Sequence, residues 1–396
     1  MKNKISIKIP KNVLILGIVS FLTDVSSDMV YPLLPLFLSD VLHSSKVFIG
    51  LIEGVAESTA SILKVLSGWL SDRLGKRKFL VSLGYSLSCL GKPVLSVVNT
   101  GWQVLGLRFL DRFGKGVRTS PRDAMIADST PPESRGLSYG FHRAMDSGGA
   151  VLGPLLAFVF LPLVNKNYRH LFLIASVPAL LSVLVLIFFV KESKGLKEKV
   201  TSLTKLRLSQ FQPKFKIFLL GATIFTLGNS SDAFLFLRAK GLNIGVVYIP
   251  ILWLVLNLVY ALVSSPAGAL SDKIGRKNVI ISGLLIYALV YLGFAFASRS
   301  IHVWILFAVY GLYYGLADGS MRAYVADLVE EDKRATAFGI YHGAVGLTAL
   351  PASLIFGWLW QSAGVSIAFG IGAGLALIAL LIIRFGLHSG GNARVT

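Results

Sequence analysis

Residues 68–78 read GWLSDRLGKRK, and residues 268–278 read GALSDKIGRKN. The two stretches share a glycine, a leucine, a serine, an aspartate and a second glycine at an offset of 200 residues. Each stretch follows one long apolar run and precedes another, which indicates two homologous halves in a membrane rather than a soluble repeat protein. The first glycines, Gly68 and Gly268, are expected to let a neighbouring helix approach closely.

The composition requires a bilayer as the solvent. Of 396 residues, 54% are hydrophobic and 15% are charged, whereas soluble domains carry about 25% charged residues. The net charge of +19 comes mostly from short loops on one side of the spans, which argues against nucleic acid binding. The positive-inside rule predicts that both termini lie in the cytoplasm, and an inner membrane is the expected location. One cysteine and six scattered histidines predict no disulfide, metal site or cofactor.

Twelve apolar spans follow one another, each near the roughly 20 residues that a spanning helix needs. They are predicted at 12–38, 46–70, 79–98, 101–123, 137–163, 169–190, 216–238, 246–270, 278–297, 302–325, 336–360 and 363–387. The sequence therefore predicts an all-α membrane protein. An N-terminal six-helix bundle covers 1–190, a basic cytoplasmic linker covers 191–215, and a C-terminal six-helix bundle covers 216–396.

The repeated stretch, placed after the second and eighth spans, resembles the signature loop of the major facilitator superfamily. The twelve spans and the long central loop agree with that resemblance. It implies the major facilitator fold, with two pseudo-symmetric bundles that move a small-molecule substrate by alternating access. It also implies a monomer whose partners are protons and membrane lipids.

The fifth span contains Gly140, Gly149 and Gly153-Pro154. This pattern resembles the antiporter motif in the fifth helix of proton-coupled drug exporters, although Ala157-Phe158 replaces the closing glycine pair of that family. Close helix packing is the alternative explanation for such small residues.

Two aspartate–arginine pairs are predicted at the cytoplasmic ends of spans. Asp72 and Asp272 belong to the repeat, and Arg122 and Arg322 lie fifty residues after them. The predicted pairs Asp72–Arg122 and Asp272–Arg322 would latch the outward-facing state and open when the protein turns inward. The alternative is that these charges only mark the membrane topology.

Acidic residues inside the spans are the candidates for proton coupling, because such residues are costly and usually functional. Ser-Ser-Asp triplets occur at 26–28 and 230–232, and the second span carries two glutamates that the eighth span lacks. A carboxylate removed from water binds a proton more readily. Polar packing of the triplets, or a structural ion pair for the second glutamate, is the alternative. The candidates are Asp24, Asp28, Glu53, Glu57 and Asp232.

The fourth span is unusually basic, reading RFLDRFGKGVRTSPRD at 108–123. Part of it resembles the arginine–glycine motif of the fourth helix in the same family. Such a stripe needs anions, supplied either by the acids above or by an anionic substrate. Arg108, Arg112 and Lys115 are predicted ligands, whereas Arg118 and Arg122 are expected to be interfacial and structural.

The remaining substrate candidates are Tyr31, Asn229, Tyr310 and Tyr314, of which the tyrosines could stack on a ligand or pack the bundle. Asp318 and Arg322 are spaced to pair along one helix. His142 is expected to be a satisfied structural histidine, and Lys92 to reach the outer surface.

Together these features favour a proton-coupled secondary transporter that exports small amphipathic molecules or drugs. One alternative is a transporter of an anionic metabolite or siderophore that uses the basic fourth span. Another is a non-transporting membrane sensor. An enzyme is not predicted, because the sequence shows no nucleophile–base pair and no phosphate-binding loop.

Overall fold

A computed structural model of the chain describes residues 9–74, 76–131, 134–192, 208–330 and 333–387. Within these ranges the regular structure is helical, without a β-strand. The first seven helices are α1 (Lys11–Val30), α2 (Leu34–Asp40), α3 (Lys46–Leu74), α4 (Arg77–Leu95), α5 (Gly101–Asp128), α6 (Arg135–Leu163) and α7 (Tyr168–Phe189). The others are α8 (Pro213–Gly228), α9 (Ala233–Gly241), α10 (Ile249–Ile274), α11 (Arg276–Phe296), α12 (Ser300–Asp327), α13 (Arg334–Ala363) and α14 (Val365–Gly386).

These helices form twelve spans, because α1 with α2 and α8 with α9 each make one interrupted span. In the described ranges, nine spans are long and apolar enough to cross a membrane. The other three, α3, α4 and α5, have 29, 19 and 28 residues, which is enough to cross the roughly 30 Å hydrocarbon core. The predicted all-α architecture of twelve spans is confirmed.

The chain divides into two compact units. Unit 1 consists of Met1–Tyr31 and Ile62–Leu203, and unit 2 consists of Pro32–Ser61 and Thr204–Thr396. In unit 1, α1 packs against α6 and α7, and α4 packs against α5 and α7. In unit 2, α10 packs against α12, α11 against α12 and α14, and α8 against α13 and α14. Residues 193–207, most of the predicted linker, lie outside the described residues.

The first half of α3 groups with unit 2 because it packs closely against α13. A Cβ atom added to Gly357 would lie 2.5 Å from the carbonyl oxygen of Lys46, and one added to Gly346 would lie 2.5 Å from the Cβ of Ser61. The Ser58 hydroxyl donates a hydrogen bond to the Gly346 carbonyl at 2.6 Å. Such contacts depend on small residues, which let helix backbones approach in a membrane.

Glycines also bring α4 and α5 together in unit 1. A Cβ atom added to Gly84 would lie 2.5 Å from the Gly114 carbonyl oxygen and 2.6 Å from the Cβ of Arg118. The repeat glycines behave differently. A Cβ atom on Gly68 would make only ordinary contact with Ser120, at 3.5 Å, and one on Gly268 would meet nothing within 4 Å. The prediction that Gly268 lets a neighbouring helix approach closely is therefore wrong, because this glycine faces open space.

The second glycine of the later repeat has a backbone role instead. Gly275 separates α10 from α11 and has φ of +90°. Side chains disfavour that left-handed region, so glycine suits the tight turn between two spans. The same logic applies to Gly364, with φ of +94°, between α13 and α14.

The buried cores of the two units differ in composition. A core cluster of unit 1 is largely aliphatic and includes Val13, Leu16, Val19, Val81 and Leu186. Unit 2 buries stacked aromatic rings instead. The ring centroids of Tyr287 and Tyr291 are 4.2 Å apart, and those of Tyr310 and Tyr313 are 5.4 Å apart. Each such pair contributes about 0.5–1.5 kcal/mol beyond the burial of its area.

Candidate functional site

Two glycines of the antiporter-like pattern lie directly against the acidic face of α1. A Cβ atom on Gly149 would lie 2.8 Å from the Cβ of Asp24, and one on Gly153 would lie 2.9 Å from the Cβ of Asp28. Gly140, by contrast, has nothing within 4 Å of such an atom. Only glycine permits this approach, so the pattern brings α6 against the two acids. Pro154 follows within the same helix and is buried.

A polar network beside Asp24 links four helices of unit 1. Ser20 on α1 lies 2.9 Å from the Tyr85 hydroxyl of α4 and 3.0 Å from Nε2 of His142 on α6. Arg122 on α5 donates to the Ser20 hydroxyl at 3.2 Å. Nδ1 of His142 lies 3.5 Å from Oδ2 of Asp146, one turn further along α6. His142 is therefore satisfied, as the sequence predicted.

The basic residues of α5 do not form one surface. Arg108 Nη1 lies 3.7 Å from Oδ2 of Asp111, and Arg112 Nε lies 4.0 Å from the same oxygen. Lys92 of α4 joins this group, where it interacts electrostatically with Asp111. Lys115 is exposed and acts electrostatically on Asp24 instead. The predicted ligand trio is thus divided between two places in unit 1.

One prediction for a basic side chain is wrong. Lys92 is only 6% exposed rather than at the outer surface, because Asp111 offers a counter-charge across the α4–α5 contact. Arg118 is also 6% exposed. Its guanidinium lies 4.3 Å from the centroid of the Tyr85 ring and donates to the Ser88 hydroxyl at 2.5 Å. Arg118 is therefore buried against α4, where it has a structural role, as predicted.

Tyr31 lies at the end of α1, where the first span is interrupted. The Arg108 guanidinium carbon is 5.7 Å from the centroid of its ring. That distance is within the range of a cation–π contact. Two of the predicted substrate-binding residues of unit 1 therefore lie together.

Unit 2 contains an acidic–aromatic site, formed by Asp232, Tyr310, Tyr314, Glu53 and Glu57. Asp232 lies in the interruption between α8 and α9, where its carboxylate accepts hydrogen bonds at 3.1 Å from the hydroxyls of Tyr310 and Tyr314. Glu53 and Glu57 lie close enough to act electrostatically on Asp232. Three of the five predicted proton-coupling residues thus meet in unit 2. Asn229, a predicted substrate ligand, ends α8 just before them.

The predicted latch residues have other partners in this structure. Arg322 pairs with Asp318, as predicted from their spacing, and Asp272 pairs with Arg276 at 3.3 Å. The Asp272–Arg322 pair is therefore not formed here, because each residue finds a partner one helical turn away. Arg122 binds Asp123 at 2.9 Å in addition to Ser20. The side chain of Asp72 lies outside the described residues.

A pseudo-symmetric pair of salt bridges does occur in the two repeats. Arg77 pairs with Asp128 in unit 1, and Arg276 pairs with Asp327 in unit 2. Both partners of the second pair lie one position earlier than a strict offset of 200 would place them. The ion pair is preserved because the arginine and the aspartate are both shifted by the same one position. An alignment of the two halves at a fixed offset of 200 residues therefore does not match these two salt bridges to each other.

The family model for the Major Facilitator Superfamily matches residues 16–263 and again 218–393, which together cover most of the chain.

The chain belongs to the major facilitator superfamily.

Relatives in this superfamily align over nearly their full length. An uncharacterized MFS-type transporter of Methanocaldococcus jannaschii is 40% identical over 384 residues, covering 96% of this chain and 95% of the relative. A multi-drug resistance efflux pump, the PmrA homolog of Lactococcus lactis, is 26% identical to this chain. The alignment covers 95% of this chain and 94% of the relative. The crystal structure of the nucleoside transporter NupG matches with a TM-score of 0.79 at 15% identity, covering 96% of this chain and 99% of that one.

These similarities and the helix arrangement establish the major facilitator fold and a multi-pass membrane transporter of a small molecule. The protein is a transporter rather than an enzyme, as the sequence predicted.

Proposed function

We propose that this major facilitator protein is a proton-coupled exporter of small amphipathic molecules or drugs. The observation that carries the proposal is the contact of Gly149 and Gly153 with the Asp24–Asp28 face of α1. Proton antiport requires a group that binds and releases a proton as the transporter changes state, and a carboxylate can do this. Carboxylates inside a membrane are costly unless they serve a function. The close backbone contact would let a change at either acid move α6.

Similarity to drug efflux proteins supports the export direction. The relative from Lactococcus lactis is named as a multi-drug resistance efflux pump, and it aligns with 95% of this chain. The acidic–aromatic site of unit 2 suits amphipathic cargo as well, because tyrosine rings offer apolar faces beside a carboxylate. In this proposal Asp232, Glu53 and Glu57 take part in coupling, while Tyr310, Tyr314 and Asn229 contact cargo.

The finer cellular placement belongs to the same proposal. The excess of lysine and arginine in one set of loops supports an inner-membrane protein with both termini in the cytoplasm. We further propose a monomer of two six-helix bundles, 1–190 and 216–396, joined by 191–215. The Asp72–Arg122 and Asp272–Arg322 pairs remain the proposed latch of the outward-facing state.

A specific observation also favours a second candidate, a carrier of anionic metabolites. Lys92, Arg108 and Arg112 gather around the carboxylate of Asp111. Lysine and arginine at such a place suit carboxylate or phosphate groups of a substrate.

Flux in lipid vesicles tests both candidates. The purified full chain would be reconstituted, and uptake of a panel of labelled amphipathic drugs and anionic metabolites measured with and without an imposed pH gradient. The proposal expects drug accumulation that depends on the gradient and stops when a protonophore collapses it. Gradient-driven flux of anions alone would favour the second candidate. Flux of no cargo would contradict both and favour a membrane sensor.

A further inference from the structure

The polar network of unit 1 ends in a carboxylate that the proposed mechanism has not used. Asp146 lies on α6, one turn after His142 and one turn before the contact of Gly149 with Asp24. Its Oδ2 faces Nδ1 of His142 at 3.5 Å. Its Oδ1 is buried and has no hydrogen-bond partner in the part of the chain that the structure describes. A buried polar oxygen without a partner is costly, so this atom requires an explanation.

The hydrogen-bond directions in the network explain how Asp146 is held. Arg122 can only donate, so the Ser20 oxygen accepts from it. The single proton of Ser20 has two acceptors within reach, the Asp146 carboxylate and Nε2 of His142, which lies 3.0 Å away. When the Asp146 oxygen takes its hydrogen bond from His142, the Ser20 proton points to Nε2. His142 in this arrangement carries its own proton on Nδ1 and donates it to Oδ2 of Asp146. Oδ2 of Asp146 thereby has a donor, whereas Oδ1 has none in the described part of the chain.

The packing of α1 against α6 places Asp24 beside Asp146. Ser20, four residues before Asp24, lies 3.0 Å from His142, four residues before Asp146, and a Cβ atom on Gly149, three residues after Asp146, would lie 2.8 Å from the Cβ of Asp24. The Asp146 carboxylate also acts electrostatically on Asp24. The other charged groups that act on this pair come from three helices. They are Asp28 on α1, Lys115, Arg118 and Arg122 on α5, and Arg143 on α6. Two carboxylates so placed cannot easily both be ionised, and such pairs commonly hold one proton between them.

The pseudo-symmetric positions of unit 2 lack this arrangement. His342 occupies the place of His142 at the offset of 200 residues, and Gly346 occupies the place of Asp146. A Cβ atom on Gly346 would lie 2.5 Å from Ser61, so that position is filled by helix packing. Asp146 is therefore not part of the scaffold that the two halves share.

We propose that Asp24 and Asp146 share one proton, that Oδ1 of Asp146 is its second acceptor, and that His142 is the positioning residue. This inference rests on the proposed proton coupling. In the transfer, the O–H bond of protonated Asp24 breaks and an O–H bond forms at Oδ1 of Asp146. The pair carries one negative charge before and after. His142 keeps its ring proton and holds Asp146 through Oδ2.

Infrared spectroscopy of the full chain in lipid tests the shared proton with the proton itself as the probe. Difference spectra between alkaline and acidic buffer would record the carbonyl stretch of protonated carboxyl groups in the wild type, Asp24→Asn, Asp146→Asn and the double variant. With one shared proton, each single variant keeps a band at this site because the remaining acid takes the proton. Only the double variant loses the band.

Two outcomes would overturn the proposal. If the loss in the double variant equals the sum of the losses in the single variants, the acids bind protons independently. If Asp24→Asn alone removes the band and Asp146→Asn changes nothing, Asp146 does not take the proton. Asp146→Glu, which keeps the carboxyl group, identifies any loss that comes from misfolding.

The positioning role has a matched control in the other half of the chain. In the Asp24→Asn background, His142→Asn should shift the frequency of the Asp146 band, because Oδ2 loses its donor. His342→Asn should leave it unchanged, and Ser20→Ala should give a smaller shift than His142→Asn. An unshifted band in His142→Asn would overturn the positioning role.

Vesicle flux separates this inference from the proposed function. If transport is proton-coupled, Asp146→Asn should lower gradient-driven flux on the order of 100-fold, and His342→Asn should not. Unchanged flux in Asp146→Asn, together with lost flux in Asp24→Asn, would overturn the inference alone. If no variant and no wild-type protein shows gradient-driven flux, the proposed function fails, while the infrared result still decides whether the proton is shared.

Discussion

The same Ser-Ser-Asp triplet has different surroundings in the two units. In unit 1, residues 26–28 lie inside α1, where the Ser26 hydroxyl donates to the Ala175 carbonyl at 2.6 Å and Asp28 lies against Gly153. In unit 2, residues 230–232 lie in the interruption after α8, and the carboxylate accepts from two tyrosines. One motif therefore supports a helix contact in one half and a partly buried acid among aromatic rings in the other.

This difference suggests a division of labour between the units. Unit 1 surrounds its acids with a hydrogen-bonded network and close glycine contacts, which suits the holding and passing of protons. Unit 2 surrounds its acid with aromatic side chains, which suits the recognition of cargo.

The largest effect is expected from Asp24→Asn. If unit 1 carries the coupling, gradient-driven flux in vesicles should fall on the order of 100-fold, because the amide cannot exchange a proton. Exchange of cargo at equal concentration across the membrane should persist, since it needs no net proton movement. Loss of both activities to the same extent would contradict a coupling role.

Gly153→Val is expected to have the next largest effect. The added side chain would meet the Val25 carbonyl oxygen and Asp28, because even a Cβ atom would lie 2.7 Å from that oxygen. Overpacking of this kind costs about 1–3 kcal/mol, and a thermal-shift assay in detergent should show a lower melting temperature. Gly140→Val is the matched control, since nothing lies within 4 Å of its added Cβ. Equal destabilisation by both changes would contradict the close α1–α6 contact.

Tyr310→Phe probes the acid of unit 2. The change removes one donor from Asp232 but keeps the ring, and a hydrogen bond to a charged group contributes about 1.5–3 kcal/mol. The expected result is a lower melting temperature and an altered affinity for cargo. Tyr313→Phe is the control, because this neighbouring ring is not hydrogen-bonded to Asp232. If Tyr310→Phe and Tyr313→Phe change the melting temperature and the cargo affinity equally, the Tyr310 hydroxyl does not stabilise the Asp232 carboxylate.

The smallest effect is expected at the cytoplasmic salt bridges. Arg77→Ala and Arg276→Ala each remove one of two pseudo-symmetric ion pairs, with Asp128 and Asp327. Partly exposed pairs contribute about 0.2–1 kcal/mol. Double-mutant cycles with Asp128→Ala and Asp327→Ala should give similar coupling energies in the two halves. A coupling several times larger in one half would show that the pairs are not equivalent.

One further functional candidate, Asp146, carries a signal in the sequence. Asp146 follows His142 by four residues and has a glycine as its counterpart in the second half, the same asymmetry that singled out Glu53 and Glu57. No comparable signal marked Ser20 or Tyr85, because a serine and a tyrosine are unremarkable in a spanning helix. Their role depends on which helix faces meet.

The sequence by itself determined the twelve spans, the repeat and the family. The spans are visible because helices that cross a bilayer must be long and apolar, and the repeat is visible because its two copies still share residue identities. It also marked the glycines and acids of the proposed coupling site. Only the tertiary structure decided the partners. It buried Lys92 beside Asp111, joined Arg276 to Asp327 rather than Arg322 to Asp272, and grouped residues 32–61 with unit 2. Charges in a membrane take the nearest counter-charge, and helix packing sets which one is nearest.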